Sequence, residues 1–220
     1  GRISNKNLQP QDALALSKSL AVVPSLKFRL SGFSSKLIGE ISASLADPSK
    51  LCELIDGAIA PNATTLREGN FIKDGYDKEL DNLRNINRNS KSVAAELETR
   101  ERERTGIRTL KVGYNRVFGY YIEVSNGFKD RVPYDYERRQ TLSTGERYTT
   151  DELKELERKI LGSEDAGRRL EEHFYSELMN ILERNIPVFQ QISSAIALLD
   201  VLLSFANVAK ANRYCRPEIL

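Results

Sequence analysis

The chain has 220 residues, of which 40% are hydrophobic and 29% charged, with a formal net charge of +2. This balance reads as a soluble chain with a modest core and a large wetted surface, which suits an elongated helical shape, and +2 says little until its distribution along the chain is known. Two cysteines far apart, Cys52 and Cys215, show no spacing that suggests a metal site or a disulfide framework and read as free thiols in a reducing cytosol.

The first third is helical in pattern. Gln11–Val23 carries Leu14, Leu16 and Leu20, Pro24 interrupts, and Leu26–Leu45 continues with scattered apolar positions. Asp47-Pro48 opens a short helix through Leu51, Leu54 and Ile55. Pro61–Gly75 has no period, and Gly69 and Gly75 mark turns. Asn62-Ala63-Thr64 matches a glycosylation sequon, a tripeptide common by chance, and no signal peptide is visible.

From Asp77 the pattern sharpens. Leu83, Ile86, Ser90, Val93 and Leu97 fall at spacings typical of a coiled-coil seam, with Arg84, Asn87, Arg88 and Lys91 on the wet side. The helix should reach about Arg104, roughly 42 Å at 1.5 Å per residue. At Gly106 the period becomes alternating: Leu110, Val112 and Tyr114, then a turn near Asn115-Arg116, then Tyr120, Ile122 and Val124, a β-hairpin. A loop through Asn126-Gly127 and Pro133 leads to a third extended stretch, Arg139–Tyr148, bent at Gly145. Thr149-Thr150-Asp151-Glu152 has capping-box form with Thr149 as the cap. The seam then returns through Leu153, Leu156, Ile160, Ser163, Gly167, Leu170, Phe174, Leu178 and Ile181. Pro187 breaks it, and Val188–Ala211 forms the most apolar helix, expected to be the most buried and not a membrane span because it carries Asp200.

The order predicts a mainly α fold: a helical lever bundle with a long antiparallel helix pair carrying a small antiparallel β module at its tip. The boundaries implied are 1–98 with 156–220 for the helical part and 99–155 for the inserted module.

Charge is concentrated in that module. Arg100–Tyr148 holds 11 basic residues, nine of them arginine, against 7 acids. Arginine's planar donor fork suits phosphate oxygens, and tyrosines and hydroxyl residues stand nearby, the mix that phosphate-contacting surfaces use. Composition alone equally allows a solvated charged surface with internal Arg–Glu pairs, as in Arg100-Glu101-Arg102-Glu103-Arg104. His173, the only histidine, sits in the return helix with no cysteine near in sequence and reads as solvated or packed. Glu155–Lys159, Glu164–Arg168 and Arg168–Glu172 read as ordinary surface pairs.

Several ordered motifs carry a resemblance. Arg100–Ile107, Leu110–Asn115 and Val117–Ile122 resemble the entry to the clamp domain of the MutS mismatch-repair family. Arg138–Leu142, Glu146-Arg147-Tyr148 and Glu152–Glu157 resemble its exit. Leu66–Gly69 and Ile72–Asp77 resemble the lever motif, and Leu198–Leu202 with Arg216-Pro217 the run toward the ATPase domain. The resemblance implies a piece of a homodimeric protein that encircles double-stranded DNA, with the clamp holding the backbone without reading sequence. The residues then expected at DNA are Arg108, Lys111, Arg116, Lys129, Arg131, Arg138, Arg139, Ser143, Thr144 and Arg147. Where the family often has a Lys-Asn pair, this chain has Ser143-Thr144, which keeps hydrogen bonding and removes a charge.

No G-x-x-x-x-G-K-[ST] loop and no Phe-x-Glu wedge occurs. The expectation is therefore no enzymatic activity and no cofactor in this chain, with ATP and Mg bound elsewhere in the parent protein. A second subunit and MutL are the parent's implied partners, with no membrane, in a bacterial cytoplasm near the nucleoid. The alternative is a coiled-coil adaptor whose basic tip binds an acidic protein.

Overall fold

The computed structural model describes residues 1–115 and 119–215. Among these the chain forms seven α-helices: α1 (Pro10–Leu20), α2 (Val23–Leu30), α3 (Lys36–Ser44), α4 (Ser49–Ala58), α5 (Lys78–Thr105), α6 (Asp151–Arg184) and α7 (Ile186–Ala211). Between α5 and α6 lie four strands, β1 (Lys111–Asn115), β2 (Gly119–Ser125), β3 (Glu137–Thr141) and β4 (Gly145–Thr149), and a 3₁₀ segment, Asn126–Arg131. Two compact units result, one of Gly1–Tyr76 with the segment from Glu171 on, the other Asp77–Leu170.

The first unit is helical. Asp47 starts α4 by accepting the Ser49 N–H at 3.0 Å, and Pro24 stands in the first turn of α2 instead of interrupting a longer helix, because its missing N–H costs nothing there. Leu20, Val23, Leu30, Ile41, Leu45 and Cys52 form a core with Ile192 and Ala195 of α7. The aperiodic stretch after α4 turns at Gly69 (φ 71°) and Gly75 (φ 83°), as expected. Its loop is anchored on α6, where the buried Glu171 carboxylate accepts the Asn70 N–H at 2.9 Å. The Tyr175 hydroxyl also donates to the Leu8 carbonyl at 2.8 Å.

Helix α7 departs from expectation. Only Ile192 and Ala195 are buried, while Leu198, Val201, Phe205 and Val208 are 42–68% exposed. Among the described residues it is the one helix long and apolar enough to cross a membrane by length and composition. Hydrophobicity makes burial favourable but does not say which surface supplies it. Within this unit the Ile192 and Ala195 side of α7 joins the helical core, with Val188, Phe189, Leu199 and Leu202 partly buried against it.

In the second unit α5 and the first half of α6 run antiparallel: Leu83 lies by Gly167, Asn87 by Ser163, and Arg100 pairs with Glu152. The α6 seam is buried at Leu153, Ile160 and Ser163. The α5 seam differs from the expected one. Ile86 and Val93 are 45% and 42% exposed, whereas Leu80, Arg84, Ser90 and Leu97 are buried. On the face turned to α6 stands Asn87, whose Oδ1 accepts the Ser163 hydroxyl at 2.8 Å. A polar pair inside a helix seam specifies register at some cost in stability.

The sheet order is β1-β2-β4-β3, antiparallel throughout. The predicted hairpin is β1–β2. The third extended stretch is a second hairpin, folded at Ser143-Thr144 and closed by the Leu142 N–H on the Gly145 carbonyl at 2.8 Å. A side chain at Gly145 would meet the Val124 carbonyl at 2.4 Å, so glycine is what lets β4 press on β2. Helix α6 also begins later than read: Thr149 ends β4, and the Thr150 hydroxyl accepts the Leu153 N–H at 3.3 Å.

Candidate nucleic-acid interface

Alternation gives the sheet two unlike faces. Ile122, Val124 and Tyr148 pack with Leu97, Ile107, Leu110, Tyr136 and Leu153 into one core. The opposite face carries Lys111, Gly113, Tyr121, Glu123 and Arg147, placed side by side by the strand register.

The module is locked to α5 by polar contacts. Glu98 accepts the Val112 N–H at 2.8 Å, and Arg102 donates to the Leu110 carbonyl at 2.7 Å. The buried Glu101 carboxylate accepts the Tyr136 hydroxyl at 2.7 Å and Arg104 at 2.9 Å, and Arg104 reaches Asp135 at 3.1 Å. The three arginines of the Arg100–Arg104 run are therefore paired within the fold, Arg100 with Glu152, Arg102 with Glu98 and Arg104 with Glu101 and Asp135. Burial and the adjacent Glu101 push the Tyr136 hydroxyl well above the usual tyrosine range.

The ten expected DNA residues fall into distinct settings. Arg116 lies outside the described residues. Arg147 is committed to the sheet: its Nε meets Glu123 at 2.9 Å, its Nη1 meets Gln140 at 3.0 Å, and its guanidinium lies 4.1 Å from the Tyr121 ring centroid. Tyr121 in turn lies over Gly113, where an added Cβ would sit 2.8 Å from the ring. Lys129 and Arg138 share the carboxylate of Glu146, at 2.9 and 3.7 Å. Arg108, Lys111, Arg131 and Arg139 are exposed and make no ion pair among the described residues. Arg139 is the extra residue of a β-bulge in edge strand β3, a device that turns a side chain outward and spoils an edge for pairing.

Ser143 and Thr144 are exposed at the β3–β4 turn. Asn126 holds this turn: its side-chain amide donates to the Ser143 carbonyl at 2.8 Å and its N–H to the Thr144 carbonyl at 3.2 Å. Thr109 and Ser125 share a hydrogen bond at 2.9 Å, so residues 108–109, 125–126 and 143–144 meet at one end of the sheet. Sequence reading missed Asn126 and Glu146. Asn126 looked like ordinary turn chemistry, and Glu146 one more charge in an alternating strand. His173 is exposed, 3.6 Å from Glu177, and Glu155 pairs with Arg158 at 2.5 Å.

These features define a helical protein with an arginine-rich four-stranded module inserted into an antiparallel helix pair. Residues 75–166 match the family described as MutS family domain IV. The chain is 45% identical over 219 residues to the DNA mismatch repair protein MutS of Caldicellulosiruptor bescii, covering 99% of this chain and 25% of that protein. Identity is 42% to MutS of Lachnoclostridium phytofermentans, covering 100% of this chain and 24% of that protein. For MutS of Listeria monocytogenes it is 41%, covering 100% and 26%. The chain belongs to the MutS family, and it spans about a quarter of the length of these curated relatives.

Proposed function

We propose that residues 99–155 form a clamp that grips the backbone of duplex DNA without reading sequence, and that 1–98 with 156–220 form the levers that link it to the rest of a mismatch-repair protein. The observation that carries this reading is the division of the module's cations. Five of its acids, Glu101, Glu123, Asp135, Glu137 and Glu146, are paired within the fold; among the described residues the exposed cations Arg108, Lys111, Arg131 and Arg139 make no ion pair and outnumber the exposed unpaired acids Glu103 and Asp130. Arg108 precedes Thr109 at the end of the sheet where Ser125, Asn126, Ser143 and Thr144 meet, and hydroxyls and amides are the other groups that meet phosphate.

The same reading gives the chain no nucleotide chemistry, and assigns ATP and Mg, a second subunit and MutL to the parent protein, in the cytoplasm and away from membranes. The test is an anisotropy titration of duplex DNA at several salt concentrations. Neutralising about four to six phosphates gives a log–log slope of roughly −4 to −5, equal for matched and mismatched duplexes. A tenfold preference for a mismatch, or binding insensitive to salt, would sink the proposal; the latter with an acidic protein bound instead favours the adaptor.

A further inference from the structure

Glu146 is an acid buried in the middle of a basic module. It is 8% exposed, and each of its carboxylate oxygens is spoken for. Oε2 accepts the Tyr148 hydroxyl at 2.7 Å, two residues along the same strand and on the same, core-side face of the sheet. Oε1 meets Lys129 Nζ at 2.9 Å and lies 3.7 Å from Arg138 Nη1. The two cations come from different elements, the 3₁₀ segment and edge strand β3, and converge on one oxygen. The Lys129 and Arg138 side chains are 37% and 65% exposed. A lysine has three donors and an arginine five, so one donor each on Glu146 leaves the remainder turned to solvent.

We infer that Lys129 and Arg138 form one built site for a backbone phosphate of duplex DNA, and that Glu146 is its positioning residue. This rests on the clamp reading above and adds to it a specific pair and the carboxylate beneath them. Long cationic side chains lose rotamer freedom when they bind; anchoring both on a buried carboxylate removes that loss before DNA arrives. The 3₁₀ segment that carries Lys129 is itself tethered at its start, through Asn126 to the Ser143 and Thr144 carbonyls of the β3–β4 turn. The Tyr148 hydroxyl and the Lys129 ammonium hold the Glu146 carboxyl below the usual glutamate range, which keeps the anchor charged at neutral pH.

The sign of the test is what makes it decisive. Glu146→Gln removes a negative charge from a DNA-binding module, and electrostatics alone would tighten binding. Positioning requires the reverse: affinity at moderate salt about tenfold weaker, and a salt slope shallower by about one to two units, the loss of one or two phosphate contacts. In a Lys129→Met/Arg138→Met background, adding Glu146→Gln should change affinity by less than twofold, because the carboxylate acts only through those cations. Circular dichroism reports whether each variant is folded. Should Glu146→Gln unfold, the exposed double variant carries the test alone and must weaken binding at least tenfold. A parent protein that binds and a folded Glu146→Gln variant that binds as tightly or more tightly overturns this inference and leaves the clamp reading standing. A parent protein that fails to bind duplex DNA overturns the clamp reading itself.

Discussion

Arg147 and Gly113 show how a residue that looks like a ligand group can be part of the frame. Arg147 donates to Glu123 and Gln140 and covers the Tyr121 ring. Such stacking is worth about 0.5–2 kcal/mol, and it keeps Tyr121 flat over Gly113. Gly113→Ala should push the ring away, at a cost of about 1–3 kcal/mol. Gly145→Ala should cost more, because the obstacle there is the Val124 backbone carbonyl and not the end of a side chain. Chemical denaturation of both variants gives the order. The Glu146–Tyr148 pair predicts a pH dependence. The Tyr148 hydroxyl first, and Lys129 next, depress the Glu146 carboxyl. Its stability contribution is therefore present above the ordinary glutamate value and is lost as pH falls through the depressed one. Burial, and then the Glu146 hydrogen bond, push Tyr148 up to about 12, so its contribution is complete below the ordinary tyrosine value and is lost as pH rises toward that figure. The melting-temperature gap between the parent and Glu146→Gln should thus shrink below about pH 4. Tyr148→Phe should remove one late step from the alkaline tyrosinate titration. A gap that is constant into acid would contradict the pairing.

At the scale of the element, the helix pair separates small residues that must be small from those that merely are. A Cβ at Gly167 would meet Leu83 and Leu80 at 3.8 and 3.9 Å, ordinary contact distances, and at Gly162 it would meet nothing within 4 Å. Both lie inside α6, where glycine costs about 1 kcal/mol relative to alanine. Gly162→Ala and Gly167→Ala should each stabilise the protein by about 0.5–1 kcal/mol, read as a higher denaturation midpoint. Helix α7 makes the opposite point, since its two sides have unlike surroundings. Ile192→Ala removes a core side chain and should cost about 2–5 kcal/mol. Leu203→Ala, at a position 60% exposed, should stay within about 0.5 kcal/mol. Periodicity alone could not have separated these cases. The Leu97 and Ile160 positions were legible because an apolar residue at seam spacing has one good place to go. Ile86 and Val93 sit outside the buried face, and the Asn87–Ser163 hydrogen bond on it is invisible to a hydrophobic pattern.

For the whole molecule, element type and order were legible from the switch between helical and alternating periods and from glycines at the turns. What sequence could not supply was the partition of charge. Eleven cations between Arg100 and Tyr148 look alike in a string, yet pairing depends on cross-strand register and on contacts from α5 and α6, which only the folded chain defines. That partition makes a sharper mutational test than charge density would. Reversing Arg147 would confuse loss of binding with loss of the Tyr121 stack. Arg131 and Arg139 are exposed and free of ion pairs among the described residues, so Arg131→Glu/Arg139→Glu should leave the melting temperature within a few degrees of the parent. Two phosphate contacts would be lost, so the salt slope should become shallower by about two units, with affinity falling at least tenfold at low salt. Leu97→Ala should do the reverse, costing about 2–5 kcal/mol of stability while the folded fraction binds as before. Circular dichroism and anisotropy on both variants separate the two effects. If the double charge reversal binds duplex DNA like the parent, the free cations of the β module are not the DNA surface.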